Sequence, residues 1–131
     1  NNIAQRAALA AVSGPLDAVD RMREAFDARR QAIVAALNQI EGVRCPTPKG
    51  AFYAFPDVRG LLNRPMGPNG QVLADTSALA AALLDEAHVA AVPGEAFGAP
   101  GYLRFSYALA DDQLAEGMRR FQEWVAASPA A

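Results

Sequence analysis

Three residue types that often carry chemistry occur only once each in this 131-residue chain, as Cys45, Lys49 and His88. A single cysteine excludes an internal disulfide, and one cysteine with one histidine is too few for a conventional zinc site. Any reaction that needs a lysine amine must use Lys49 or a lysine outside the chain. We expect Cys45 to be a thiol without function and His88 to be structural, because neither has a partner at a suggestive spacing.

Long apolar runs, an excess of basic charge and a glycine-rich turn between a strand and a helix are also missing. No run approaches the roughly 20 apolar residues of a membrane-spanning helix, and the first residues lack the layout of a signal peptide. The 12 basic and 14 acidic residues leave a net charge of −2, which argues against nucleic acid or a membrane as the main partner. No glycine-rich turn directly joins a strand to a helix, which argues against a doubly wound nucleotide fold. Because the chain does not begin with Met, we expect it to be part of a longer polypeptide.

Apolar residues make up 52% of the chain, which is enough for a globular core. Their periodicity predicts an α/β (α+β) fold in which helices pack on a small sheet of about four short strands. The predicted helices cover residues 3–12, 16–40, about 76–87, and from Asp111 or Asp112 to about Val125. The predicted strands cover residues 43–45, 51–55, 88–92 and 102–107.

Turn-forming residues and apolar stripes add detail to this prediction. We expect Gly42 to end the long helix, Asp75, Thr76 or Ser77 to cap the third, and Asp111 or Asp112 to cap the last. Residues 56–75 are predicted to be a long mobile surface loop, with Leu61 and Leu62 as its only apolar anchors. Residues 128–131 are predicted to be a frayed tail. The predicted inward-facing positions are Val19, Met22, Phe26, Ile33, Leu37, Ile40, Leu79, Leu83, Leu84, Leu114, Met118, Phe121 and Val125.

Arg104 is the most informative residue, because it lies in the middle of an otherwise apolar strand. Alternation along the strand places Leu103 and Phe105 on one face and Arg104 on the other. A guanidinium in that position must reach water or meet an anion, and its planar set of donors matches a carboxylate. From the residues alone, two interpretations stay open: a carboxylate-binding site, and an edge-strand arginine paired with a local Asp or Glu.

Two glycine-bearing segments flank the sheet and offer further candidates. The turn at residues 48–53, PKGAFY, contains Gly50, which permits close approach of a ligand, and Phe52 and Tyr53, either of which offers a pocket wall. The connector at residues 93–101, PGEAFGAPG, precedes the Arg104 strand and offers a pocket rim. The first segment is also compatible with an ordinary turn followed by core aromatic residues, and the second with an ordinary long hairpin connection.

The ordered set of these segments resembles the C-terminal part of class I/II aminotransferases, which are fold-type I pyridoxal-phosphate (PLP) enzymes. Residues 48–53 resemble that family's Pro-x-Gly-Ala-Phe-Tyr stretch, and residues 89–98, VAAVPGEAFG, resemble its strand and Pro-Gly-x-x-Phe-Gly turn. Residues 101–106, GYLRFS, resemble the strand that carries the arginine for the substrate carboxylate. The resemblance covers essentially the whole chain and is nearest to the bacterial aspartate aminotransferase-like group.

The resemblance implies a cytoplasmic homodimer that uses PLP to transfer an amino group from an amino acid, most simply aspartate, to a 2-oxo acid. Residues 1–40 would be the end of the large domain and a connecting helix, and residues 41–131 the small domain. Arg104 would bind the substrate α-carboxylate, with Gly50 and Phe52 lining the entrance. The Schiff-base lysine would lie upstream, so the resemblance implies no catalytic, cofactor-binding or metal-binding residue here and an inactive isolated chain.

Two other functions remain compatible with the sequence. The chain could be a stand-alone α+β module in which Arg104 holds a carboxylate without catalysis. It could equally be a structural or dimerisation domain without a ligand. The alanine-rich face of residues 3–12 indicates a missing partner layer, which favours either the enzyme or the structural domain.

Overall fold

The computed structural model describes residues 1–129 and contains four helices, five short strands and two 3₁₀ turns. No helix in that part of the chain is long and apolar enough to cross a membrane. The helices are α1 (Asn2–Ser13), α2 (Asp17–Asn38), α3 (Thr76–Ala87) and α4 (Asp111–Ala126). The strands are β1 (Tyr53–Ala54), β2 (Pro65–Met66), β3 (Gln71–Val72), β4 (Val92–Pro93) and β5 (Leu103–Ser106), and the 3₁₀ turns are Arg59–Leu61 and Gly94–Phe97. The mixed fold class predicted from the sequence is confirmed.

The strand that carries Arg104 is the central one of a three-stranded antiparallel sheet. The strand order is β1-β5-β4; Tyr53 pairs with Ser106 on one side, and Val92 pairs with Arg104 on the other. A separate hairpin is formed by β2 and β3. Arg104 therefore has neighbouring strands on both sides, which fixes its backbone through two sets of hydrogen bonds.

The hydrophobic core lies between the sheet and the helices α2, α3 and α4. Leu103 and Phe105 point into it, and Phe105 stacks on Phe121 of α4 with ring centroids 5.6 Å apart. The predicted stripe of α4 is confirmed, with Trp124 as an additional buried member. Burial of these large apolar side chains, each contributing about 1.5–3 kcal/mol, fixes the face of β5 opposite to Arg104.

The N-terminal half of the predicted long stripe is not buried in this chain. Ile33 and Leu37 of α2 are fully buried, whereas Val19 and Met22 are 49% and 55% exposed. Helix α1 has no buried residue, and its Ile3, like several apolar neighbours, faces outward. The predicted inward orientation of Val19 and Met22 is therefore wrong for the described residues, whose contacts with this half of α2 include the packing of Phe52 and Tyr107 on Phe26 but leave these two side chains uncovered.

All four predicted strands are shorter than the sequence pattern indicated, and the one predicted at residues 102–107 covers only Leu103–Ser106. Residues 43–45 form a single bridge, from Arg44 to Asp57. Ala51 adopts a φ of +57°, so the aromatic strand begins only at Tyr53. His88 does not open a strand, because it adopts the left-handed conformation that ends α3, with a φ of +55°. Its strand consequently shrinks to Val92–Pro93.

The segment at residues 56–75 is not a loop without regular structure. It contains one 3₁₀ turn and the β2–β3 hairpin. Leu61 is buried as predicted and Leu62 is only partly buried, but Val58, Met66 and Leu73 are further buried anchors. Burial of these three residues could not be predicted from the sequence, because proline and glycine separate them and their spacing is neither that of a helix nor that of a strand.

The predicted helix ends are confirmed in part. Asp75 caps α3 by accepting a hydrogen bond from Ala78 N. The cap of α4 is Ala110, without a side-chain hydrogen bond, and Asp111 instead pairs with Arg29 of α2 at 2.5 Å. The long helix ends at Asn38 rather than at Gly42.

Two further positions differ from the sequence predictions. Leu84 of α3 is 52% exposed instead of inward-facing. In the predicted tail, Ser128 is held by a hydrogen bond that Gly67 N donates to its Oγ at 2.9 Å, whereas residues 130–131 lie outside the described part of the chain.

Gly42 and Gly60 bring two backbone segments into direct contact. A Cβ at Gly60 would lie 2.6 Å from both Cα and O of Gly42, and backbone atoms cannot rotate away.

We expect Gly60→Ala to lower the free energy of unfolding by about 1–3 kcal/mol. Gly117→Ala, in α4 with nothing within 4 Å of the new Cβ, should raise it by about 0.5–1 kcal/mol. Urea denaturation of both variants checks this, and equal effects at the two glycines would contradict it.

Candidate functional site

Arg104 lies on the outer face of the central strand, between two aromatic rings. Leu103 and Phe105 are buried and Arg104 is half-buried, as the alternation predicted. Its guanidinium carbon is 4.4 Å from the ring centroid of Tyr53 and 4.6 Å from that of Phe97. Each cation–π contact contributes about 0.5–2 kcal/mol. Together they restrict the orientation of the guanidinium group.

The Arg104 guanidinium has no acidic partner within residues 1–129, and no side-chain hydrogen bond of Arg104 is found there. The other arginines close to carboxylates form their own pairs, such as Arg59 with Asp57. The strand is also central rather than at the sheet edge. The alternative of an edge-strand arginine paired with a local acid is therefore wrong. A half-buried guanidinium with free donors is suited to bind an anion that has two oxygen atoms.

Further aromatic side chains support the rings that contact Arg104. Phe55 stacks on Tyr102 with centroids 5.2 Å apart, and its ring meets Phe97 edge-on at 6.1 Å. Such aromatic pairs contribute about 0.5–1.5 kcal/mol beyond their buried area. The segments predicted as pocket walls, at residues 48–53 and 93–101, each supply one of the two rings on Arg104.

The turn that carries Phe97 is constrained by close backbone packing. A Cβ on Gly94 would lie 2.0 Å from Ala99 O and 2.7 Å from Tyr102 O, so only glycine fits there. Gly94 N donates to Tyr102 O at 2.8 Å, and Ala99 N donates to Gly94 O at 2.9 Å. The connector is therefore a tight turn tied to the start of β5.

Glu95 joins this turn to helix α3, a connection that the sequence did not predict. Its carboxylate accepts a hydrogen bond from Thr76 N at 3.2 Å and a short one from Thr76 Oγ. Thr76 is fully buried at the first turn of α3. The Thr76 hydroxyl, by donating to the carboxylate, holds the pKa of Glu95 below its usual range. A lone acidic residue in an otherwise apolar turn was the only signal in the sequence.

Gly50 and Phe52 lie along a different part of the surface from the Arg104 guanidinium. They line a cavity of about 320 Å³ against α2, together with Phe26 and Arg30, and Arg104 is not among the lining residues. Phe52 approaches the arginine site through Tyr53, since the two ring centroids are 4.6 Å apart. The nearby Tyr107 hydroxyl donates to Ala51 O at 3.0 Å, and burial raises the pKa of Tyr107.

Of the three single residues noted at the outset, Lys49 lines the same cavity as Gly50 and Phe52, whereas Cys45 and His88 do not. Cys45 is buried, and burial raises the pKa of its thiol. Lys49 and His88 are exposed. No group of three or more His, Cys, Asp or Glu side chains in the described part of the chain is arranged to hold a metal ion.

The described residues do not form a site for PLP. Its phosphate is typically held at a helix N-terminus, but the N-termini of α1 and α3 are already occupied by Asn1 and by Asp75 with Glu95. The other two helices have acidic residues in the first turn, which repel phosphate. Lys49, the only lysine, lies on an exposed turn. Within residues 1–129, therefore, no helix N-terminus is left open for a phosphate group, and the single lysine is not buried.

Comparison with known proteins assigns the chain to a family. The profile of "Aminotransferase class I and II" matches residues 1–121. The chain is 60% identical over 116 residues to an aspartate aminotransferase of Streptomyces avermitilis, covering 88% of this chain and 28% of the relative. It is 46% identical over 125 residues to an aspartate/prephenate aminotransferase of Cereibacter sphaeroides, covering 95% and 31%.

A solved structure agrees with this assignment. The aspartate aminotransferase of Rhizobium meliloti superposes with a TM-score of 0.90 at 37% identity, covering 97% of this chain and 32% of that one. The chain belongs to the class I and II aminotransferases. It spans about 28–31% of the length of the curated relatives described above.

The Glu95–Thr76 contact predicts a specific pH dependence of stability. The carboxyl pKa is ordinarily 4.5 and is lowered in the folded chain, so its stabilising effect is present above that value and is lost as the pH falls through the folded pKa. We expect Glu95→Gln to be less stable than the wild type near pH 7, with the difference shrinking as the pH falls below 4.5 and through the lowered pKa of the folded chain. Urea titrations at several pH values check this, and a difference independent of pH would contradict it.

Proposed function

We propose that this chain is the substrate-carboxylate-binding part of a PLP-dependent aminotransferase, and that Arg104 is the residue that binds the carboxylate. The observation that carries the proposal is the Arg104 guanidinium, fixed between Tyr53 and Phe97 with no acidic partner in the described residues. Family membership supports the reaction class, and the names of the relatives support aspartate as the amino donor. A bidentate pair with the α-carboxylate would orient the substrate, whichever side chain it carries.

We further propose that the rest of the active site comes from elsewhere in a longer polypeptide. Residues 1–40 would connect a large PLP-binding domain to the small domain at residues 41–131. The exposed apolar side chains of α1 and the first half of α2, Ile3, Leu9, Val12, Val19 and Met22 among them, fit a surface that another layer covers. The large domain would supply the lysine that binds PLP, and the cofactor would supply the electron sink for the reaction.

Gly50 and Phe52 are proposed to line the path by which the substrate enters. Phe52 is 40% exposed and contacts Tyr53, which in turn covers Arg104. Even a Cβ placed on Gly50 would meet no atom within 4 Å, so this residue leaves the opening clear. The complete enzyme is proposed to be a cytoplasmic homodimer, because members of this family are typically homodimers.

The role of Arg104 is tested by Arg104→Lys in the longer polypeptide. Lysine keeps the positive charge but cannot form two parallel hydrogen bonds. The variant should therefore lose transition-state binding energy on the order of 2–5 kcal/mol, which is measured as a lower kcat/KM for the amino acid. Arg44→Lys, at an exposed position, is the matched control and should leave kcat/KM unchanged. An Arg104→Lys enzyme with the wild-type kcat/KM would refute the assignment.

The isolated 131-residue chain is predicted to have no transaminase activity. Its single lysine is exposed, so no buried amine is available to form a stable linkage with PLP. Treatment with PLP, borohydride reduction and mass mapping should show weak labelling divided between Lys49 and the N-terminal amine. Stoichiometric labelling of Lys49 together with turnover would show that the catalytic centre lies in this chain after all.

A further inference from the structure

We infer that Glu95 is a positioning residue for Arg104, acting through its contact with Thr76 and through the Phe97 ring. This inference rests on the proposed carboxylate-binding function and adds to it the element that holds the guanidinium in place. The Glu95–Thr76 contact joins residues 19 positions apart in the sequence. It links the turn at Gly94–Phe97 to the N-terminus of α3.

Phe97 needs such a connection because burial does not hold it. The side chain is 50% exposed, and its ring contacts are the Arg104 guanidinium and the edge of Phe55. Neither contact is strong enough to fix a half-exposed side chain, since cation–π and aromatic contacts are individually weak. The position of the ring therefore depends on the backbone of its own turn.

The turn is anchored by different means at its first two residues, and Gly98 N closes its far end by donating to Glu95 O at 3.1 Å. Gly94 N is hydrogen-bonded to Tyr102 O, which ties one end to the sheet. In the described residues, Glu95 supplies the side-chain anchor to a helix, by accepting two hydrogen bonds from Thr76. Helix α3 is itself rigidly placed, because Leu79 and Leu83 are fully buried in the core.

The consequence for binding follows from the geometry around Arg104. Tyr53 covers the guanidinium on one side and Phe97 on the other. If the turn loosens, the Phe97 ring withdraws and the guanidinium gains freedom to rotate before it meets a carboxylate. That freedom must be lost again on binding. Because every amino acid and 2-oxo acid substrate carries this carboxylate, the KM of both substrates should rise together.

Two substitutions of Thr76 separate positioning from stability. Thr76→Val keeps the shape of the side chain and removes the hydroxyl that donates to Glu95, so the KM for both substrates should rise about 3- to 10-fold while kcat changes less than about twofold. Thr76→Ser keeps the hydroxyl but removes a buried methyl group, so it should lower the melting temperature and leave both KM values unchanged. The measurements use the longer polypeptide loaded with PLP.

Glu95→Gln and a double variant show whether the effect passes through Phe97. Glu95→Gln, which retains only one acceptor oxygen, should raise both KM values as Thr76→Val does, whereas Glu41→Gln at an exposed position should not. In a Phe97→Leu background, Thr76→Val should have little further effect on KM.

Three experimental outcomes would contradict the positioning role of Glu95, and one of them would also contradict the proposed function. An active enzyme in which Thr76→Val has wild-type KM values would overturn the inference and leave the proposed function intact. A KM increase that persists in full in the Phe97→Leu background would also overturn it, because Glu95 would then not act through that ring. A longer polypeptide with PLP but without transaminase activity would refute the proposed function and the inference together.

Discussion

The guanidinium of Arg104, which has no acidic partner within residues 1–129, is the constraint on which the candidate site depends. A charge on the middle strand of a small sheet is costly unless it is solvated or paired, and the described residues give it two aromatic faces but no carboxylate. The surrounding elements hold that charge in one orientation while leaving its hydrogen-bond donors free. A site of this kind is suited to an external anion, which is why the arginine dominates the functional interpretation.

The sheet alone is too small to give this rigidity. Strand β5 has four residues, and its two neighbours have two each. Precision comes instead from the opposite face of β5, where Leu103 and Phe105 are locked into the core, and from the turns that carry the aromatic rings. Both features lie within this chain, although it spans only 28% to 32% of the length of the relatives described above.

Part of this arrangement follows from local sequence patterns and part does not. The face of Arg104 was predictable because side chains alternate along a strand, and the α4 stripe was predictable from its helical spacing. The left-handed His88 was missed because its conformation is selected by the end of α3 rather than by its own preference. The Glu95–Thr76 contact was missed because it joins residues that only the folded chain brings together.

The central claim is that Arg104 binds the substrate carboxylate, and a crystal structure of the longer polypeptide with a non-reactive amino-acid analogue tests it most directly. The account predicts that both carboxylate oxygens accept hydrogen bonds from the Arg104 guanidinium at about 2.7–2.9 Å, with the rings of Tyr53 and Phe97 on either side. An analogue whose carboxylate is bound by another residue, with the Arg104 guanidinium turned away, would contradict it.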